Sequence, residues 1–116
     1  MQNFRNLKVW QKAHQLALSI YRVTSEFPRD EVFGLRNSLR KTCVDIPAFI
    51  AEGSGKASDV EFSRSIGGAL ALAMRLEYYT LLAFDLKLLS GADHDVVSSD
   101  IVELKKMLSG FNRTLR

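Results

Sequence analysis

The stretch Ser65-Ile66-Gly67-Gly68-Ala69-Leu70-Ala71-Leu72-Ala73-Met74-Arg75-Leu76-Glu77-Tyr78-Tyr79-Thr80-Leu81-Leu82-Ala83-Phe84 carries only two charges, Arg75 and Glu77. Apolar or small residues fall on every face of the helix it would form, so a single amphipathic stripe does not describe it. A bilayer span is excluded as an expectation by the two charges in the middle of the run, which would sit at hydrocarbon depth. A helix buried on two sides fits: one face inside a helical bundle, the other against a second subunit. This reading predicts a homo-oligomer with Ile66, Leu70, Ala73, Arg75 and Glu77 at the interface. Arg75 and Glu77 are too close in sequence to face each other, and each is expected to pair across the subunit contact.

Working outward, Ser58-Asp59-Val60-Glu61 reads as a capping box that starts this helix, and Ser90-Gly91 reads as its end, giving a span of about 58–89. Towards the N-terminus, Val9, Trp10, Ala13, Ala17, Ile20, Tyr21 and Phe27 form the apolar stripe of a helix over about 7–27, closed by Pro28. Asp30 and Glu31 announce a second helix, about 31–53, with Leu35, Leu39, Cys43, Ile46 and Ile50 at spacings of three and four. Gly53 with Ser54 and Gly55 is read as its close, in the manner of a C′ glycine, and Pro47 inside it predicts a kink near 43–47. The last helix, about 95–115 with Asp93 or Asp95 as cap, places Val97, Ile101, Leu104, Leu108, Phe111 and Leu115 on one seam. No segment alternates at period two. The expectation is an all-α, up-down-up-down antiparallel four-helix bundle forming one domain over residues 1–116, assembled as an oligomer.

The 116 residues, 47% hydrophobic and 25% charged, suit one packed domain and exclude disorder and low-complexity architectures. A single cysteine, Cys43, rules out a disulfide framework within the chain and leaves no thiol cluster for a metal; a reducing cytoplasm fits best. The N-terminus is too polar and basic for a secretory signal. Phosphate-loop and dinucleotide fingerprints are missing, no Glu-x-x-His pair is present, and no cofactor is implied. His14 falls on the exposed side of the first helix and His94 in a loop, neither with a converging acid and nucleophile, so an enzyme is not expected. Cys43 sits on an apolar stripe and reads as a small buried hydrophobe.

The formal charge of +3 names no partner, but its distribution is uneven. Residues 1–25 hold Arg5, Lys8, Lys12 and Arg22 with no acid, and residues 105–116 hold Lys105, Lys106, Arg113 and Arg116 with no acid. The stretch 26–104 holds eight cations and all 13 acids, a net of −5. In an up-down-up-down bundle the two basic termini meet at one end, so Arg5, Lys8, Lys12, Arg113 and Arg116 would gather there with Lys56 and Arg64. Cations in the first turn of a helix oppose its dipole, which argues against a purely stabilising role. The alternative is a solvated, solubilising surface. Glu52 in the last turn of the second helix is expected to form a structural ion pair with Lys8 or Lys12, and Trp10 to be a core residue rather than a base-stacking platform.

Leu7-Lys8-Val9-Trp10-Gln11-Lys12-Ala13, Phe27-Pro28 followed by Glu31 and Gly34-Leu35, Ile46-Pro47, Ile50-Ala51-Glu52-Gly53 and Glu61-Phe62 together resemble the four-helix-bundle family of 23S rRNA intervening-sequence proteins. The likeness spans nearly the whole chain and is most specific over residues 7–53. It implies a bacterial, non-enzymatic bundle forming a ring-like homopentamer. Related bundles are accessory proteins of diversity-generating retroelements, where a basic barrel contacts a reverse transcriptase and nucleic acid. The chain departs from the family pattern at Thr42-Cys43-Val44-Asp45 and Phe49, and at Ala71-Leu72 and Arg75, while Glu77 is kept. These changes are expected to make the surface between the second and third helices larger and more apolar. The functional expectation is an oligomeric accessory protein binding structured RNA or cDNA through its basic end, with a reverse transcriptase as a further partner; the alternative is a protein–protein scaffold.

Overall fold

The structure is a computed structural model that describes residues 3–31 and 34–116. It contains four α-helices: α1 (Lys8–Thr24), α2 (Leu35–Ser54), α3 (Asp59–Asp85) and α4 (Gly91–Arg113), with short 3-10 turns at Phe4–Asn6 and Arg29–Glu31. Among the described residues there is no strand. The body is elongated, 43 × 22 × 20 Å, which matches the length of about 40 Å set by the 27 residues of α3.

Local chemistry fixes the ends of the helices. Ser58 Oγ accepts a hydrogen bond from the Glu61 amide (3.2 Å), so the predicted cap of α3 forms. The predicted Asp93 or Asp95 cap of α4 does not: Ser90 takes that place and accepts from the Asp93 amide (3.1 Å). Ser90-Gly91 therefore begins α4 rather than ending α3, and His94 lies in the first turns of a helix instead of a loop. α3 stops earlier, at Asp85, through Lys87 in the left-handed region (φ 64°). There the Leu88 amide donates to Ala83 O (2.8 Å) and the Lys87 amide to Phe84 O (2.9 Å), the pair of bonds that closes a helix when its next residue turns left-handed. α1 is shorter than the reading over 7–27, ending at Thr24. Asp30 and Glu31 belong to a separate turn rather than to α2, and residues 32 and 33 lie outside the described residues.

The core is one layer of side chains along the bundle axis. Val97, Ile101, Leu104 and Leu108 of α4 are fully enclosed, as are Leu39, Cys43, Ile46 and Ile50 of α2, and Phe111 and Leu115 pack at its edge. α1 contributes Val9, Ala13, Leu16, Ala17, Ile20 and Val23. Tyr21, read as part of that stripe, is exposed, with the Arg40 guanidinium 4.5 Å above its ring. The proline does not divide α2, which runs unbroken from Leu35 to Ser54 with Pro47 buried inside it. Of the closing segment Gly53-Ser54-Gly55, Gly55 caps the helix and Gly53 lies inside it. A Cβ there would lie 2.7 Å from both Phe62 Cδ1 and Ser65 Cβ, so the α2–α3 crossing needs a residue without one.

Candidate nucleic-acid interface

The polypeptide enters the bundle through the turn Phe4–Asn6, held by the Asn3 side chain accepting from the Arg5 amide (3.1 Å) and by Gln11 Nε2 donating to Arg5 O (2.9 Å). Lys8 opens α1 without a side-chain cap. Asn6, Leu7, Lys8 and Val9 border a groove whose other wall is Met107, Gly110 and Phe111, so the start of α1 lies beside the end of α4. Phe62 and Phe111 then tie the start of α3 to the same place, and Ser63 Oγ donates to Asn112 Oδ1 at 2.6 Å. Gly53 against Phe62 brings in the end of α2. Arg5, Lys8, Lys56, Arg64, Arg113 and Arg116 are all exposed residues of these four segments. Glu52, Asp59 and Glu61 lie on the same segments, leaving an excess of positive charge.

Lys12 does not join that end. Its ammonium is bound by Asp100 (3.0 Å) and Glu103 (3.1 Å) of α4. Burial works to lower its pKa, but the hydrogen bonds it donates to the two carboxylates, together with their charges, outweigh this and hold the group above its ordinary value. The expected Glu52 pair with Lys8 or Lys12 is consequently replaced: Lys12 is engaged elsewhere, and Glu52 is exposed with no ion pair among the described residues. The i, i+3 spacing of Asp100 and Glu103 was visible in the sequence; their register against α1 was not.

Trp10 is half-buried and packs against the core. His14 stacks on its ring (4.8 Å, 8°) and Phe4 meets it edge-on (5.0 Å, 63°), so one ring face is already taken. Arg5 lies 4.6 Å over the Phe4 ring. Cys43 is enclosed, and burial pushes its thiol up to about 12, which keeps it protonated at neutral pH. Among the described residues no group of His, Cys, Asp and Glu could hold a metal ion, and no helix is long and apolar enough to cross a membrane.

The residues expected at an oligomer interface separate. Ile66 and Ala73 are enclosed in the core of the chain and have no surface to offer another subunit. Leu70 is partly buried against the core. Glu77 pairs within the chain, accepting from Lys105 Nζ at 2.7 Å, and so does not need a partner subunit. Arg75 is exposed without an ion pair among the described residues. The outward stripe of α3 is instead Gly67, Ala71, Met74, Tyr78 and Leu81, with Met74 and Tyr78 each 57% exposed. Its alternating spacing of four and three was present in the sequence, but with apolar residues all round the helix nothing there set the phase.

A protein of unknown function from the S23 ribosomal protein family of Bacteroides thetaiotaomicron has a similar crystal structure: TM-score 0.82 at 20% identity, covering 89% of this chain and 96% of that one. At that identity the likeness establishes the fold. No curated protein matches the chain. The family model for 23S rRNA-intervening sequence proteins matches residues 5–110, taking in all of α1, α2 and α3 and α4 as far as Gly110. With four helices in the arrangement described and a match over that span, the chain belongs to the 23S rRNA-intervening sequence protein family.

Proposed function

We propose that this protein is a non-catalytic, self-assembling bundle of up-down-up-down topology that grips the phosphate backbone of a structured RNA or cDNA through the end formed by Arg5, Lys8, Lys56, Arg64, Arg113 and Arg116. The observation that carries the reading is that Lys12 is neutralised by two carboxylates while Lys8 and Arg113, at the end itself, have no ion-pair partner among the described residues. Flexible cations of this kind contact phosphate and do not read base edges, so binding is sequence-tolerant and salt-sensitive. The exposed stripe Ala71, Met74, Tyr78 and Leu81 supports assembly, the resemblance implying a ring of five, and a ring multiplies the basic end into a face.

Fluorescence anisotropy with a labelled hairpin RNA tests the reading. Affinity should fall by about tenfold or more between roughly 50 and 200 mM salt. Lack of binding at low salt would favour the second reading, a protein–protein scaffold without nucleic-acid binding whose working surface is the apolar stripe of α3. Light scattering tests the assembly: a monomer at micromolar concentration would contradict it.

A further inference from the structure

Among the described residues four polar side chains are buried: Thr24, Thr42, Ser54 and Thr80. Three of them donate to a carbonyl one turn back, Thr24 to Ile20 O (2.6 Å), Ser54 to Ala51 O (2.7 Å) and Thr80 to Leu76 O (2.8 Å). Thr42, only 6% exposed, donates to nothing among the described residues. Its oxygen is not sealed off, because among the described residues no fully enclosed side-chain oxygen or nitrogen lacks a partner. Thr42 lines a recess of about 290 Å³ between α2 and α3, at the lower edge of small-molecule site volumes.

The walls of that recess are polar and unspent. Lys41, Thr42 and Asp45 on α2 and Arg75 and Tyr79 on α3 all line it, together with Ser38. None of these side chains has a hydrogen-bond or ion-pair partner among the described residues, although two are cations and one is a carboxylate. A threonine in a helix ordinarily satisfies itself on the preceding turn, as Thr24 and Thr80 do, and Thr42 does not. The expectation that this surface is simply more apolar therefore holds only lower down, where Phe49 covers Gly68.

We propose that the α2–α3 recess binds a small phosphate monoester bearing hydroxyl groups, such as a pentose phosphate. Lys41 and Arg75 take the phosphate, a pairing of an ammonium point charge with a planar fork suited to two oxygens. Thr42 and Ser38 donate to the remaining phosphate or ring oxygens, and Asp45 accepts from a ligand hydroxyl. Tyr79 and Leu72 provide the wall against which the carbon frame lies. The site is separate from the basic end of the bundle and stands whether or not that end binds nucleic acid.

Calorimetric titration of the full chain with ribose 5-phosphate tests the assignment, with inorganic phosphate and ribose as separate probes. Saturable binding of the sugar phosphate, tighter than either fragment, is expected. Arg75→Gln and Lys41→Met, both at exposed positions that leave the core untouched, should each weaken it by about tenfold or more, and Thr42→Val by several-fold with the melting temperature kept or raised. Equal affinity for inorganic phosphate would overturn the hydroxyl-bearing ligand. Binding of ribose that Arg75→Gln leaves unchanged would overturn the phosphate assignment. No saturable binding, or an Arg75→Gln effect on the mass of the assembly with none on affinity, would overturn the site.

Discussion

The rings of Phe62 and Phe111 meet edge to face, 5.4 Å apart at 70°, and through them the first turns of α3 are held to the last turns of α4. This contact brings Arg64 and Arg113 into one neighbourhood despite their separation in sequence. Phe62 is 5% exposed, so Phe62→Ala should destabilise by about 3 kcal/mol, measured by chemical denaturation. A loss below about 1 kcal/mol would mean that the end of the bundle is held some other way.

Lys12 is predicted to serve stability alone. Lys12→Met should lower stability by about 0.5–1 kcal/mol, as expected for a partly exposed pair, and leave RNA affinity within twofold of wild type. Because the folded pKa is raised, the contribution is fully present below the unfolded value of about 10.4 and is lost as pH rises through the folded value. The gap in melting temperature between wild type and variant should therefore hold at neutral pH and close only in strongly alkaline buffer.

Two glycines of the same family of substitutions should respond in opposite directions. Gly53→Ala places a methyl group 2.7 Å from Phe62 and Ser65, at a crossing with no room to yield, and should destabilise by about 2 kcal/mol or more. Gly67 has nothing within 4 Å of its would-be Cβ, so Gly67→Ala should gain about 0.5–1 kcal/mol of helix stability in a monomer. Thermal melting of both, read beside light scattering, separates the two effects: a loss of assembly mass in Gly67→Ala would mark close packing of another chain there.

At the end of α3, Lys87 sits where glycine is ordinarily preferred (φ 64°). Lys87→Gly should stabilise by about 1 kcal/mol, with the helix end unchanged by circular dichroism. Destabilisation would mean that the lysine side chain contributes something the backbone strain conceals.

What could be read in advance followed from local pattern. The α4 seam from Val97 to Leu108 and the α2 stripe from Leu39 to Ile50 are buried as their spacing requires, because each helix had one apolar face. Ile66 and Ala73 went to the wrong side of α3 because a helix apolar all round carries no phase, and only its packing against α2 and α4 decides which stripe faces out. The Lys12 pairs and the unpartnered Thr42 depend on register between helices, which a single sequence does not encode locally. The Ser90 cap is legible in the sequence: Ser90-Gly91-Ala92-Asp93 has the same spacing of serine and acid as Ser58-Asp59-Val60-Glu61.

The central claim is that charge gathered at one end of the bundle, rather than net charge, binds phosphate. Two double variants with the same change in net charge test it most directly: Lys8→Glu with Arg113→Glu at the proposed end, and Arg22→Glu with Arg29→Glu, where α1 finishes and the following turn begins. In anisotropy titrations with hairpin RNA at low salt, the first pair should lose about tenfold or more in affinity and flatten the salt dependence by about two charges, while the second stays within about threefold of wild type. Equal losses from the two pairs would contradict the account.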